Sequence, residues 1–248
     1  MNGKKEYTFN INEAEVKVAY PEEDIEKIYL PLLKEWTEMQ KEKGRRLIVY
    51  LAAPPGCGKS ALAAFLEYLS YKEDLTRIQA LGIDGFHYPQ AYLEKHRVLL
   101  EGKETDLKQI KGHPLTYDVK KMRDLIRRMK EEDILWPYYS RKIHDPIEDA
   151  VRVREKIVLI EGNYLLYGEG EWNDLSLYCD ISLFMNMDKD ILLKRIIDRK
   201  VMTGRTIEEA RESVYGSDLR NIELVLEHSR EADHQIIFGP DNEVISFR

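Results

Sequence analysis

The segment Ala53-Pro54-Pro55-Gly56-Cys57-Gly58-Lys59-Ser60 has the residue types and the spacing that phosphate binding requires. Its glycines allow a tight turn in which several backbone N–H groups point at one anion, and a helix beginning here would add its positive end. At this spacing Lys59 would reach the β- and γ-phosphates of a nucleotide, and the Ser60 hydroxyl would coordinate Mg²⁺. We therefore expect residues 54–61, up to Ala61, to bind a nucleoside triphosphate.

This segment departs at one position from the G-x-x-x-x-G-K-[ST] pattern of a Walker A loop, because Ala53 replaces the first glycine. A methyl group is a small change, and Gly58-Lys59-Ser60 is intact. An ordinary turn between a strand and a helix is the alternative interpretation. The Cys57 thiol could suggest a nucleophile, but inside such a loop we expect it only to tolerate the backbone path.

Two carboxylates follow predicted buried strands, namely Asp84 and Glu161. Ligands of open α/β sheets bind at the carboxyl ends of the strands, so both side chains should lie at that edge. Asp84 is our candidate general base, which would take the proton of an attacking hydroxyl, and a helix-capping or turn aspartate is the alternative. Glu161 would hold Mg²⁺ directly or through water, and a partly buried structural glutamate is the alternative.

The hydrophobic pattern predicts the elements that would bring these residues together. Short apolar runs, typical of strands buried on both faces, alternate with helical segments. Alternating strands and helices indicate an α/β fold with a mostly parallel sheet. The predicted strands are 47–52, 77–84, 156–162, 181–185 and 234–238, and the predicted helices are 60–71, 118–131 and 188–200.

A separate pattern precedes this alternation. Residues 6–20 alternate as in a hairpin with a turn at 12–15, and apolar residues then follow at helical spacing, with Pro31 as a kink and Gly44 as the end. We expect residues 1–44 to form an N-terminal hairpin and helix extension. Residues 45–248 would form the domain that carries the motifs.

The composition of the 248 residues excludes several classes of protein. The net charge of -7 lacks the basic signature of a nucleic-acid-binding protein, and no apolar run is long enough for a membrane span. Two cysteines cannot form a disulfide framework or a four-cysteine zinc site. The polar start, residues 1–6, leads into no apolar region of a signal peptide, so we expect a cytoplasmic protein.

The order of the motifs makes a resemblance specific. From about residue 45 to 240 the chain resembles the uridine kinase, phosphoribulokinase and type I pantothenate kinase group of P-loop kinases. The motifs that carry the resemblance are Ala53 to Ser60, Asp84-Gly85-Phe86-His87-Tyr88, Lys111 to Asp118, Pro137-Tyr138-Tyr139-Ser140-Arg141 and Ile160 to Leu166. The resemblance implies a three-layer α/β/α P-loop fold and ATP-dependent phosphorylation of a hydroxyl group. It also implies that Asp84 is the base and that Lys111 to Asp118 border the acceptor pocket.

We place the acceptor beside these motifs. Tyrosines supply aromatic walls with polar tips, which suit a polar organic molecule. Arg141 would grip an anionic or hydroxyl-rich acceptor, and a surface arginine paired with Asp145 or Glu148 is the alternative. The complete set of expected substrate residues is Tyr88, Lys111, His113, Tyr138, Tyr139, Arg141 and Tyr164.

Three arginines follow the fourth predicted strand, at Arg195, Arg199 and Arg205. Arg195 and Arg199 are four residues apart and share a helix face. In related kinases a lid at this position, here about residues 195–221, closes arginines over the phosphates and offsets developing charge. A solvated helix face is the alternative. We assign Arg195, with Lys59 and Asp84, to the catalytic set, and Arg199 and Arg205 to nucleotide binding.

These inferences together predict a kinase that transfers the γ-phosphoryl group of Mg-ATP to a nucleoside, a sugar or a pantothenate-like molecule. The alternative is a nucleotide-binding NTPase or switch that acts on a protein partner. Asp84 in its Asp-Gly-Phe-His-Tyr context argues against a switch, which needs a positioned water. A scaffold that binds ATP without turnover is a third hypothesis, which Ala53 leaves open. A homodimer through the N-terminal extension is a further hypothesis.

Overall fold

The computed structural model describes residues 3–248, and Met1 and Asn2 of the polar start lie outside the described residues. The strands are β1 (Lys4–Ile11), β2 (Ala14–Pro21), β3 (Leu47–Ala52), β4 (Ile78–Gly82), β5 (Arg97–Leu100), β6 (Lys103–Asp106), β7 (Ile134–Ser140), β8 (Asp145–Val153), β9 (Ile157–Gly162), β10 (Ile181–Met187), β11 (His234–Phe238) and β12 (Val244–Phe247). The α-helices are α1 (Glu22–Asp24), α2 (Leu30–Lys43), α3 (Lys59–Lys72), α4 (Gln90–Leu93), α5 (Val119–Met129), α6 (Lys189–Met202), α7 (Ile207–Ser213) and α8 (Leu219–His228).

The central sheet has six strands in the order β12-β11-β10-β3-β9-β4. All neighbouring pairs are parallel except β11 with β12. The predicted buried strands are confirmed, with one boundary corrected: β4 ends at Gly82, and Ile83–Phe86 form a 3₁₀ turn. The Trp136 indole donates to the Gly82 carbonyl at 2.9 Å, so a side chain caps the strand where pairing stops.

Alternate residues of β3 belong to two separate cores. Leu47, Val49 and Leu51 pack in the core formed with α2, α3 and α6, whereas Ile48 and Tyr50 pack in the core formed with α5. All six residues of β3 are fully buried, as expected for a strand covered on both faces. This arrangement confirms the predicted α/β/α layers.

The N-terminal hairpin packs on the outside of α3, where the Tyr7 and Phe65 ring centroids are 4.8 Å apart. Its turn is shorter than predicted, because Ile11 pairs with Ala14 and only Asn12 and Glu13 connect the strands. The following helix is irregular just before Pro31. Pro31 has no N–H and therefore cannot make the usual α-helical hydrogen bond to the carbonyl four residues earlier. The turn before it, Ile25–Tyr29, is π-helical, and the Leu30 N–H donates to the Ile25 carbonyl.

Two antiparallel hairpins, β5–β6 and β7–β8, were not predicted as hairpins. Pro137 interrupts the pattern within β7, and the pairing register with β8 shifts between Trp136 and Tyr138. The predicted lid consists of the end of α6, then α7, a π-helical turn at Val214–Asp218 and the start of α8. Within residues 3–248, none of the helices combines the length and apolar character needed to cross a membrane.

Candidate active site

The loop between β3 and α3 contains two glycines whose backbone is in the left-handed region, Gly56 at φ 86° and Gly58 at φ 90°. A Cβ on Gly56 would lie 2.9 Å from Ile196 Cγ1 and 3.0 Å from the Leu192 carbonyl oxygen, so only glycine lets α6 pack this close. Because α3 begins at Lys59, the N–H groups of Lys59 and Ser60 have no acceptor within the helix, whereas the Ala61 N–H already donates to the Gly58 carbonyl. The loop can therefore bind an anion through its backbone.

The remaining loop residues support this backbone path. Ala53 and Pro54 are buried and Pro55 is half-buried, and the Cys57 N–H donates to the Pro54 carbonyl at 3.3 Å. Ala61 lies in the first turn of α3, where its N–H donates to Gly58. Burial raises the pKa of the Cys57 thiol to about 12, so the thiol stays protonated and is a poor nucleophile.

Ser60, Lys59 and Glu161 meet at the carboxyl ends of β3 and β9. The Ser60 hydroxyl donates to Glu161 Oε1 at 2.8 Å, and Lys59 Nζ lies 4.0 Å from Glu161 Oε2. Burial raises the pKa of the Glu161 carboxyl, the Lys59 charge opposes this effect, and the Asp84 charge adds to it. Gly82 leaves room for the carboxylate, because a Cβ there would lie 3.1 Å from Glu161 Oε1.

Asp84 lies in the 3₁₀ turn after β4, beside β9. Its half-buried carboxylate acts electrostatically on Glu161, His87, Tyr117 and Arg199. The turn is pressed against β7: a Cβ on Gly85 would lie only 2.4 Å from the Pro137 carbonyl oxygen. The sequence prediction thus places Asp84 and Glu161 at one sheet edge, and the structure brings them together there.

His87 and Thr116, which lie in two of the motifs but are not among the expected substrate residues, connect Asp84 to the acceptor segment. His87 Nδ1 lies 3.3 Å from both the carbonyl oxygen and the hydroxyl of Thr116, and its ring stacks on Tyr117 with centroids 3.8 Å apart. Burial lowers the pKa of the His87 imidazole, and the Asp84 charge opposes that effect. Thr116 is fully buried, and although it belongs to the Lys111 to Asp118 motif, no role was predicted for it individually.

Lys111 and Tyr139 form a second polar group beside His87, whose ring centroid lies 5.9 Å from that of Tyr139. Lys111 Nζ donates to Tyr139 Oη at 2.8 Å and to the His144 carbonyl at 3.3 Å. Tyr164 lies beneath them rather than at a surface: it is fully buried, and its hydroxyl donates to the Gly112 carbonyl at 2.8 Å. Tyr164 therefore fixes the backbone beside Lys111 in this structure.

His113 and Tyr88 face a different space, a cavity of about 460 Å³ with mainly apolar and aromatic walls. His113 is buried, and burial together with the Arg220 charge lowers its pKa to about 4. Tyr88 is half-buried, and its ring stacks on Tyr92 with centroids 4.4 Å apart. The structure thus separates these two predicted substrate residues from the group around Lys111.

Arg141 is exposed at the end of β7, next to Tyr138. Its positive charge acts on Glu161, Arg199 and Tyr138, so it contributes to the electrostatics of the site. The alternative pairing of Arg141 with Asp145 or Glu148 is not found: Asp145 accepts from the Gln90 N–H, and Glu148 pairs with Lys121.

The three lid arginines occupy different places. Arg195 donates to the Pro240 carbonyl at 2.7 Å and to Asn242 Oδ1 at 2.8 Å, and its charge reaches Cys57 of the loop. Desolvation and the nearby Arg141 lower the pKa of Arg199, whose charge also interacts with Asp84. Arg205 is exposed in the turn before α7.

Comparison with known proteins gives a consistent picture. The model of the phosphoribulokinase/uridine kinase family matches residues 48–244. The uncharacterized protein YggC of Escherichia coli (strain K12) is 38% identical over 225 residues, which cover 90% of this chain and 91% of YggC. A pantothenate kinase of Enterococcus faecalis is 27% identical over 198 residues, which cover 71% of this chain and 62% of that enzyme.

A solved structure is also similar. The "putative fructose transport system kinase" of Silicibacter sp. TM1040 superposes with a TM-score of 0.71 and 26% sequence identity. The superposition covers 84% of this chain and 98% of that chain. The relatives in these comparisons that carry a functional name are described as kinases.

Proposed function

This chain belongs to the phosphoribulokinase/uridine kinase family, and we propose that it transfers the γ-phosphoryl group of ATP, with Mg²⁺, to a hydroxyl group of a small metabolite. Membership makes it a P-loop kinase that phosphorylates a small molecule. The residue roles, the nucleotide and the class of acceptor are the proposal. The observation that carries the roles is the convergence of Ser60, Glu161 and Asp84 at one sheet edge.

On the donor side, residues 54–61 bind the phosphates of ATP through the backbone of the loop and the start of α3. Lys59 lies 4.0 Å from Glu161 in this structure, and we propose that it pairs with the β- and γ-phosphates when nucleotide is bound. Arg195 sits between the loop and residues 240–242, and Arg199 lies nearer Asp84. These two arginines would offset negative charge on the nucleotide during transfer.

The oxygen donors of Ser60 and Glu161 fit Mg²⁺, which prefers oxygen ligands and keeps several waters and substrate phosphate oxygens. Their oxygens are 2.8 Å apart and lie at the end of the phosphate loop. Among residues 3–248 there is no cluster of three His, Cys, Asp or Glu side chains suited to a metal ion, so phosphates and water would complete the shell. When bound, the metal neutralises charge on the phosphate oxygens.

Asp84 acts as the general base in this proposal. The acceptor oxygen forms a bond to the γ-phosphorus while the bond from that phosphorus to the β–γ bridging oxygen breaks, and ADP leaves with the electron pair. The hydroxyl proton passes to the Asp84 carboxylate. The contacts of Ile83–Phe86 with β7 hold this carboxylate facing the acceptor side.

Lys111 and Arg141 favour an acceptor that carries a negative charge as well as hydroxyl groups. Among the described residues neither cation forms an ion pair with a carboxylate, although the Lys111 charge acts on His87 and the Arg141 charge acts on Glu161, two groups on which Asp84 also acts. An anionic group on the acceptor would supply the missing partner. Tyr138 and Tyr139 flank this position and would pack against the acceptor, while Tyr164 supports Lys111 from below.

The test is ADP release from Mg-ATP with a panel of nucleosides, neutral sugars, sugar phosphates, glycerate and pantothenate. We expect one class of acceptor to stimulate turnover, and we expect Asp84→Asn to lower that stimulated rate by about 10²–10⁴-fold. Asp124→Asn, on the exposed face of α5, serves as the matched control and should keep full activity. Stimulated turnover that survives in Asp84→Asn would contradict the assigned base.

A further inference from the structure

The turn of the N-terminal hairpin reaches the acceptor side of the site. The Glu13 carboxylate accepts hydrogen bonds from the Ser140 hydroxyl, at 3.2 and 3.3 Å to its two oxygens, and from the Lys142 backbone N–H at 3.1 Å. Ser140 is only 3% exposed, so its hydroxyl has little access to water as an alternative partner. Both contacts join segments more than 120 residues apart, and they flank Arg141 on either side.

The backbone of this turn is an unusual place for a glutamate. Asn12 has φ 51° and Glu13 has φ 66°, and the pairing of Ile11 with Ala14 makes them the two central residues of the hairpin turn. Turns with positive φ at both positions favour glycine at the second, because a Cβ is disfavoured there. A glycine would therefore suit the turn better, and the contact with Ser140 and Lys142 explains what the glutamate adds.

We propose that Glu13 is a positioning residue of the acceptor site, through which the N-terminal hairpin sets the turn between β7 and β8. By binding both neighbours of Arg141, the Glu13 carboxylate fixes the direction in which that guanidinium leaves the backbone. Glu13 does not act on the reacting groups itself. The inference rests on the proposed function, because it assigns the hairpin to the binding of the same acceptor.

This role predicts that Glu13→Gly weakens acceptor binding with little change in stability. The melting temperature should change little, because relief of the turn by glycine offsets the hydrogen bonds that Ser140 and Lys142 lose. The KM for the acceptor identified in the panel should rise about tenfold, because hydrogen bonds to a charged group are lost, while the KM for ATP stays within about twofold. A purely structural role would instead lower the melting temperature and leave the acceptor KM unchanged.

Two further variants sharpen the test. Glu13→Gln keeps one acceptor oxygen and should restore most of the acceptor affinity. Glu15→Gln removes a charge from the same hairpin. The Glu15 side chain is exposed and has no hydrogen-bonding or ionic partner among residues 3–248, so this variant should behave as wild type. An acceptor KM that rises equally in Glu13→Gln and Glu15→Gln would overturn the proposal, since charge alone would then explain the effect.

Amide hydrogen exchange on the protein without ligands separates this inference from the proposed function. Exchange in the peptide containing Lys142 should be faster in Glu13→Gly and unchanged in Glu15→Gln. Unchanged exchange in Glu13→Gly would overturn the contact even if the wild type phosphorylates an acceptor, and faster exchange with an unchanged acceptor KM would overturn the positioning role. Absence of acceptor phosphorylation in the wild type would overturn the proposed function first, before any substitution is made.

Discussion

The donor and acceptor sides of the site are built in different ways. The donor side is built around one continuous segment, residues 53–61, whose backbone path is fixed by its own glycines and by the close approach of α6, and which also supplies Lys59. The acceptor side consists of side chains from separate segments, including Asp84, Lys111 and Arg141, whose positions depend on hairpins packed against one another. Local backbone geometry suits a ligand common to many enzymes, whereas assembled side chains can be varied to suit one acceptor.

The largest effect should come from the donor side. We expect Lys59→Met to lower kcat by about 10³-fold, because the charge that balances the transferring phosphoryl group is lost. The measurement is the ADP-release rate at saturating acceptor. Lys72→Met, at the opposite end of α3 and exposed, is the control and should keep normal turnover. A loss below about tenfold would mean that the donor side depends less on Lys59 than on its backbone.

Gly56→Ala tests whether the donor side is fixed by packing. The added Cβ meets Ile196 and the Leu192 carbonyl at a positive φ, so we expect a loss of about 3 kcal/mol in the free energy of unfolding. Gly44→Ala is the matched control. Gly44 also has a positive φ, 64°, but a Cβ there would meet no atom within 4 Å, so the variant should lose only about 1 kcal/mol. Equal losses in denaturant titrations would show that α6 yields to the methyl group.

Arg141→Gln tests the acceptor side. The KM for an anionic acceptor should rise about 10- to 30-fold, because a charge-assisted interaction is lost, and the KM for ATP should change little. Arg154→Gln makes the same change of charge at an exposed position beyond the far end of β8. If the two variants weaken acceptor binding equally, acceptor binding depends only on the net charge of the protein. The proposal that Arg141 itself binds the acceptor would then be wrong.

The smallest effect concerns His113, in the cavity beside the acceptor segment. Its pKa is about 4 when folded and about 6.5 when unfolded, so the unfolded chain binds more protons between these values and stability falls as pH is lowered through this range. From pH 6.5 to 5 this residue alone should reduce the free energy of unfolding by about 1 to 2 kcal/mol. His113→Asn should remove that part of the slope in denaturant titrations, and an unchanged slope would contradict it.

The same contrast decides what the sequence could predict. The phosphate loop, the sheet strands and the two carboxylates follow from patterns within a few residues, and the structure places them at one edge. The acceptor side could not be predicted in the same way. No short-range pattern indicates that Thr116 bridges to His87, that Gly85 must approach Pro137, or that Glu13 reaches Ser140, because each contact joins distant segments.

The hairpins β5–β6 and β7–β8, unlike the predicted N-terminal hairpin, were missed by the sequence pattern. Pro137 and the register shift beside it break the alternation of β7, and β5 and β6 have only four residues each, too few for a clear period. The tyrosines are also difficult to assign from sequence, because a tyrosine can equally well line an acceptor pocket or lie in the protein core. Tyr164 is an example: it is fully buried, and its hydroxyl holds a backbone carbonyl.

The burial of Cys57 has a consequence for chemical reactivity. Oxidants and alkylating reagents attack the thiolate of an accessible cysteine, and this thiol is 2% exposed with a pKa of about 12. The same packing buries the Cys57 thiol and shapes the phosphate loop. Intact protein should therefore resist inactivation by peroxide or maleimide through this residue, and slow labelling of Cys57 would report how often the loop opens.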